Sequence, residues 1–354
     1  MKRFFVFLGV VIMTIGSAVR AQEVDSIAPL QKSSWGDAKT SETVDYIPDV
    51  YLDTRAGYNH FFTDGGGRFG ATGLYLDING NISPRLSYSF NHIIAADYLD
   101  ATGFDATQWL NFTYAVGDFD FTVGKLSTNM GNFEYDADVL DAYFEMNSMV
   151  YNMLDCYQWG VASSWYPAEG HSIIFQFTNS PLATGDDQFA YNLAWRAEWD
   201  WYEPYWTVNL WEFEKSRYMK GLNLGNRFHF GNFSVDLEYM ARAADMSGIF
   251  TDDFNIIAAP SYTFGEWGRL FGKFGFERTS ADLPYDLAYE EYKGSDYIYY
   301  GAGMEFFPFK EQRDVRIHAY WASNNFGEDM FSIGLRWKLD LTSAAKKILG
   351  RIER

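Results

Sequence analysis

An all-β fold, a transmembrane antiparallel β-barrel of about sixteen strands with its third loop folded inward, is the class this sequence predicts. Three observations predict it. Apolar and polar residues alternate with a period of two through most of the chain, the signature of strands with two unlike faces. The links between alternating segments are short at one end and long at the other. The chain also opens with an export signal.

That signal is Lys2 and Arg3, an apolar run from Phe4 to Ile15, then Ser17, Ala18 and Ala21. The apolar run is too short to span a bilayer, and the small residues fit a cleavage site after Ala21. Residues 1–21 are therefore expected to be a signal peptide and 22–48, polar and without period, a flexible periplasmic lead-in. The barrel is expected over 49–341 and a basic periplasmic tail over 342–354. Ala345, Ile348, Leu349 and Ile352 would share one helical face of that tail.

With 47% hydrophobic and 19% aromatic residues the chain is no disordered polymer. Its net charge of −19 argues against a nucleic-acid partner. The single cysteine, Cys156, allows no internal disulfide.

The clearest strand is 188–200, where Phe189, Tyr191, Leu193, Trp195, Ala197 and Trp199 alternate with Asn192, Ala194, Arg196, Glu198 and Asp200. The full set is 52–62, 69–80, 84–94, 109–116, 118–126, 157–166, 171–179 and 188–200. It continues with 205–213, 222–230, 233–243, 254–264, 267–278, 297–307, 314–321 and 331–341. Short links fall at 79–83, 117, 167–170, 201–204, 231–232, 265–266 and 308–313. Long ones fall near 95–108, 127–156, 180–187, 214–221, 244–253, 279–296 and 322–330. A transmembrane barrel sorts its loops this way, and a soluble sandwich has no reason to. A two-residue turn at Gly231-Asn232 sets Phe230 against Phe233, His229 against Ser234 and Arg227 against Asp236, the last a candidate ion pair. Aromatic residues crowd the turns at Trp199–Trp206 and Phe306–Phe309, where a barrel carries its interfacial girdles.

The phase of each strand turns Arg55, Asp77, Arg196, Glu198, Arg227, Asp236, Glu238, Lys273, Glu277, Arg316 and Arg336 toward the lumen. Both signs are present in near balance, so a wet lumen would pass small polar solutes without strong preference. The surplus acid lies in the long links. Glu134, Asp136, Asp138, Asp141 and Glu145 sit in 127–156, a link too long to be incidental and rich in apolar residues. It is expected to fold inward and narrow the pore, with a helical turn around Val139–Met146. The competing reading is a further hairpin inside it.

Gly124-Lys125-Leu126, followed by Gly131 and Glu134, leads into this third loop. With the export signal, the lead-in and the strand count, that run resembles the phosphate-selective porin O/P family and porin-like proteins of Bacteroidetes. The resemblance spans most of 49–341. It implies a sixteen-stranded barrel, usually trimeric, whose third loop forms the constriction. It also implies a place for Lys125 at that constriction. The basic ladder of the phosphate-selective members is missing here, because Lys125 stands alone among acidic residues.

Catalysis finds little support. His171 and Ser172 point to opposite faces, while His229 and Ser234 could meet but lack an oxyanion donor. Metal-ligand spacing and a phosphate-binding glycine loop are missing, and no cofactor is expected. The sequence thus leads to a bacterial outer-membrane porin, not an enzyme, with membrane lipid and small polar solutes as partners and a homotrimer as the implied assembly. A barrel plugged by 127–156, acting as a receptor or adhesin, and a barrel hydrolase are the alternatives.

Overall fold

The computed structural model describes residues 46–352, apart from 64, 97–102, 138–139, 141–146, 184, 245–247, 249, 281–292 and 310–312. Sixteen strands run antiparallel to their neighbours in sequence order, and the last closes on the first. They are β1 (Asp49–Phe61), β2 (Gly66–Ser83), β3 (Leu86–Ala96), β4 (Thr107–Val116), β5 (Phe119–Ser127) and β6 (Tyr157–Trp165). Then come β7 (His171–Asn179), β8 (Phe189–Ala197), β9 (Tyr202–Glu214), β10 (Arg217–Phe230) and β11 (Phe233–Ala243). β12 (Asp253–Phe264), β13 (Gly268–Arg278), β14 (Asp296–Phe306), β15 (Val315–Asn324) and β16 (Asp329–Asp340) complete the ring. Every expected strand is present.

Closure follows from the pairing of β1 with β16, which sets Leu52 against Leu339 and Arg55 against Arg336. A closed ring leaves no unpaired edge, so every spanning backbone group can be satisfied without water. The faces are inverted relative to a soluble protein. Along β16, Ile333, Leu335 and Trp337 are exposed on the outside, whereas Ser332 and Arg336 are buried within. The same holds on β5, where Phe121 and Val123 are exposed and Asp120 and Thr122 are buried. An apolar outer belt around a polar interior is the arrangement of a membrane-spanning barrel.

The hairpin at Gly231-Asn232 forms in the expected register, with Phe230 opposite Phe233 and Arg227 opposite Asp236. Gly231 takes a φ of 62°, which L side chains rarely adopt and glycine adopts freely. Three links depart from expectation. Residues 79–83 continue β2, which leaves Pro84-Arg85 as the turn, and the link expected at 322–330 shortens to 325–328. The connection between β9 and β10 is a two-residue turn, Lys215-Ser216, because both strands extend beyond the sequence-read limits to pair Glu214 with Arg217. At the short-turn rim Trp199 stacks on Tyr202 (5.6 Å), and Tyr202 stacks on Phe228 (5.0 Å). These rings form a girdle where the wall would meet lipid headgroups.

After Asp340 the chain turns into a helix, here α3 (Leu341–Ile352). Thr342 roots it: its Oγ1 donates to the Pro48 carbonyl (2.7 Å) and accepts from the Val50 N–H (2.9 Å).

Candidate functional site

The third loop, residues 128–156, folds into the barrel instead of standing above it. Its described part carries two short helices, α1 (Phe133–Asp136) and α2 (Met149–Met153), and no strand. The additional hairpin is therefore not what fills the described part. The segment expected to be helical, 139–146, lies almost wholly outside the described residues.

Neutral amides hold the root of the loop. Gln176 on β7 accepts from the Asn129 N–H (2.9 Å) and donates to the Ser127 carbonyl (2.9 Å). Asn209 on β9 donates to the Asn129 carbonyl (2.8 Å) and to Asn192 Oδ1 on β8 (2.7 Å). Asn223 on β10 donates to the Met130 carbonyl and to Asn209 Oδ1. Gln176, Asn192, Asn209 and Asn223 are all fully buried, where a polar group must find partners. Gly225 on β10 leaves the room this contact needs. A Cβ there would lie 2.8 Å from the Gly131 carbonyl oxygen.

Charged groups hold the remainder. Glu238 on β11 accepts from the N–H groups of Phe133 (3.0 Å) and Glu134 (3.2 Å) at the start of α1. Glu277 on β13 accepts from the Met149 N–H at the start of α2 (2.6 Å) and pairs with Arg242 (2.5 Å). Carboxylates at two helix N-termini satisfy orphan donors and face the positive ends of the helices. Glu134 points away from Glu238 to Lys273 on β13 (2.5 Å) and accepts from the Ser148 hydroxyl (2.5 Å). That bond ties the outgoing and returning limbs of the loop together. Asp136 pairs with Arg196 on β8 (2.7 Å), and the Arg227 guanidinium lies 4.1 Å from the centre of the Phe133 ring.

Apolar contacts show how far the loop reaches. Met130, Val150 and Leu154 pack on Trp211, Met219 and Met240 of β9 to β11. Met149 packs on Ile257, Tyr299, Tyr320 and Met330 of β12 and β14 to β16. Leu140 packs on Tyr75 of β2 and Ile93 of β3. In a ring of sixteen, β2 and β3 stand opposite β10 and β11. The loop therefore crosses the full width of the lumen.

Among the sequence-read lumen residues, Arg227 and Asp236 form a bidentate pair (2.6 and 2.8 Å). Arg196, Glu238, Lys273 and Glu277 meet the loop as described. Arg336 pairs with Asp53 (2.5 Å), and Arg316 approaches Glu305 (3.5 Å). Arg55 and Asp77 are buried in the wall of β1 and β2. Glu198 lies in the turn beyond β8, exposed, away from the loop. Asp138, Asp141 and Glu145 lie outside the described residues.

Lys125 is placed differently from the expectation. It belongs to β5, opposite Leu110 of β4 and Trp159 of β6, which puts it in the outward phase with Val123. Its ammonium donates to the Phe104 carbonyl of the second loop (2.9 Å), so it does not reach the constriction. The His229/Ser234 pair is not assembled either. His229 Nε2 engages Glu203 (2.7 Å), and the Ser234 hydroxyl engages Ser261 (2.8 Å).

The chain matches no family model and no curated protein sequence. Solved structures do match. A loop-deletion form of OmpT, an outer membrane protein of Vibrio cholerae, superposes with a TM-score of 0.60 at 13% identity, over 83% of this chain and 100% of that one. OmpT in a trimer form gives 0.58 at 14%, covering 83% and 99%. A Rhodopseudomonas blastica porin variant gives 0.55 at 15%, covering 83% and 100%. At such identities the likeness is one of architecture. The chain has the sixteen-stranded barrel fold of bacterial outer-membrane porins, with an apolar belt outside and a loop laid across the lumen.

Proposed function

We propose that residues 1–21 direct export and that the barrel inserts in the outer membrane of a Gram-negative cell. There it acts as a porin, letting small hydrophilic solutes and ions diffuse passively past the third loop. The carrying observation is the loop itself, bound inside a wall whose charges alternate in sign and whose outer face is apolar. Lumen charges of both signs, paired across short distances, set up transverse fields that orient polar solutes without strong exclusion of either sign. Phosphate selectivity gains no support, since Lys125 lies on the outer side of the wall. Nor does catalysis, since His229 and Ser234 each have other partners. OmpT in its trimer form makes a homotrimer the assembly to test first.

Planar-bilayer recording tests the proposal. Stable ohmic steps with a reversal potential near zero in a potassium chloride gradient are expected, and electrical silence contradicts it. One observation favours a second reading, a barrel closed by its own loop and used as a receptor. Leu140 reaches the wall opposite the one that holds the loop's root. In that reading the intact chain is silent and conducts only once the loop is released.

A further inference from the structure

The outer wall between β4 and β7 is not uniformly convex. Two adjoining grooves, of about 400 and 410 Å³, run along it and share Val123 and Val161. Phe112, Tyr114, Phe121 and Phe175 line the one nearer the short turns. Trp159, Phe177 and Phe189 line the one nearer the loops. Outward small residues such as Ser163 leave the space.

At the loop-side end, beside Trp159, stands Lys125. It is only 8% exposed, its ammonium donating to the carbonyl of Phe104, whose ring packs edge-on against Trp159 at 5.9 Å. An ammonium has three donors. Among the described residues this one meets a single carbonyl and no carboxylate. A cation so placed at the wall of a lipid-facing barrel is costly to bury without an anion.

We propose that this groove and Lys125 together bind an anionic, phosphate-bearing lipid of the loop-side leaflet. An acyl chain lies along Val123 and Val161, and the phosphate meets the Lys125 ammonium. The site rests on the reading of the chain as a membrane barrel. Charge complementarity identifies the headgroup, because among the described residues the Lys125 ammonium meets one carbonyl and no carboxylate. Continuity of the groove with the lipid-facing belt identifies the remainder as hydrocarbon.

Native mass spectrometry of the full chain, released from neutral detergent after titration with phosphatidylglycerol or phosphatidylcholine, tests this. Retention of phosphatidylglycerol over phosphatidylcholine is expected. Lys125→Gln should weaken phosphatidylglycerol retention about fivefold and leave phosphatidylcholine unchanged, the scale of one cation near anionic lipid. Ser163→Phe, which fills the groove and keeps the charge, should weaken both. Inorganic phosphate should not compete. Equal phosphatidylglycerol retention by Lys125→Gln overturns the site, and so does competition by inorganic phosphate, which would indicate a free-anion site. Heat-modified gel mobility shows whether each variant is folded. A chain that fails to enter liposomes fails the barrel reading; one that enters but ignores Lys125 fails only this proposal.

Discussion

The root of the third loop and its inner part are held in different ways. Residues 128–131 lie on β7 to β10 through uncharged amides and a wall position without a side chain. Residues 132–136 and 147–149 are held by Arg196 on β8, Glu238 on β11, and Lys273 and Glu277 on β13, with Arg242 paired behind Glu277. Amides carry no net charge, so the root fixes the loop's position without placing an ion in the lumen that would repel solutes of one sign. The inner part puts charge into the lumen and depends on its pairing to stay there. Placement and field are thus supplied by separate residues.

The largest effect expected from breaking this division is at Glu277. Glu277→Ala strands Arg242 in a buried site and removes the partner of the Met149 N–H, costing about 3–5 kcal/mol. Unfolding midpoints in detergent measure it. The double variant Glu277→Leu with Arg242→Met should recover most of the loss, since no uncompensated charge remains. Asn209→Leu comes next, at about 1–3 kcal/mol. It strips partners from Asn129, Asn192 and Asn223 together, and limited proteolysis within 128–156 should accelerate.

Cys156 reports on the loop directly. Burial beside Leu154 and Tyr135 pushes its thiol up to about 11, so little thiolate exists at pH 8. Maleimide labelling of the native chain should be slow. Because only the deprotonated form reacts, releasing the loop returns the thiol toward about 8.5 and speeds labelling on the order of a hundredfold. Asn209→Leu should produce that acceleration if the amides fix the loop's position. The smallest effect is expected at the exposed Arg217–Glu214 pair (2.6 Å), where Arg217→Ala should leave stability and labelling unchanged.

Much of this architecture was legible because a period of two, read over sixteen segments, tolerates local error. The Arg227–Asp236 pair followed from one turn and simple counting. Lys125 did not, because its place beside a long loop suggested lumen chemistry while strand phase turned it outward. The β9–β10 turn was missed because Lys215 and Ser216 carry no glycine, asparagine or proline to mark it. The amide ladder was hidden in another way. Asn192, Asn209 and Asn223 occupy lumen-phase positions where any polar residue would satisfy the pattern. A clustering of amides on neighbouring strands near the loop root was the available signal. Nor could periodicity show that Leu140 reaches β2, since that contact joins elements far apart in sequence.

Single-channel conductance of the intact chain, set beside a variant in which residues 129–154 are replaced by a short glycine-serine link, probes the matter most directly. A loop that crosses a water-filled lumen predicts small, steady steps for the intact chain and steps several times larger for the variant. Equal conductance in the two would contradict it.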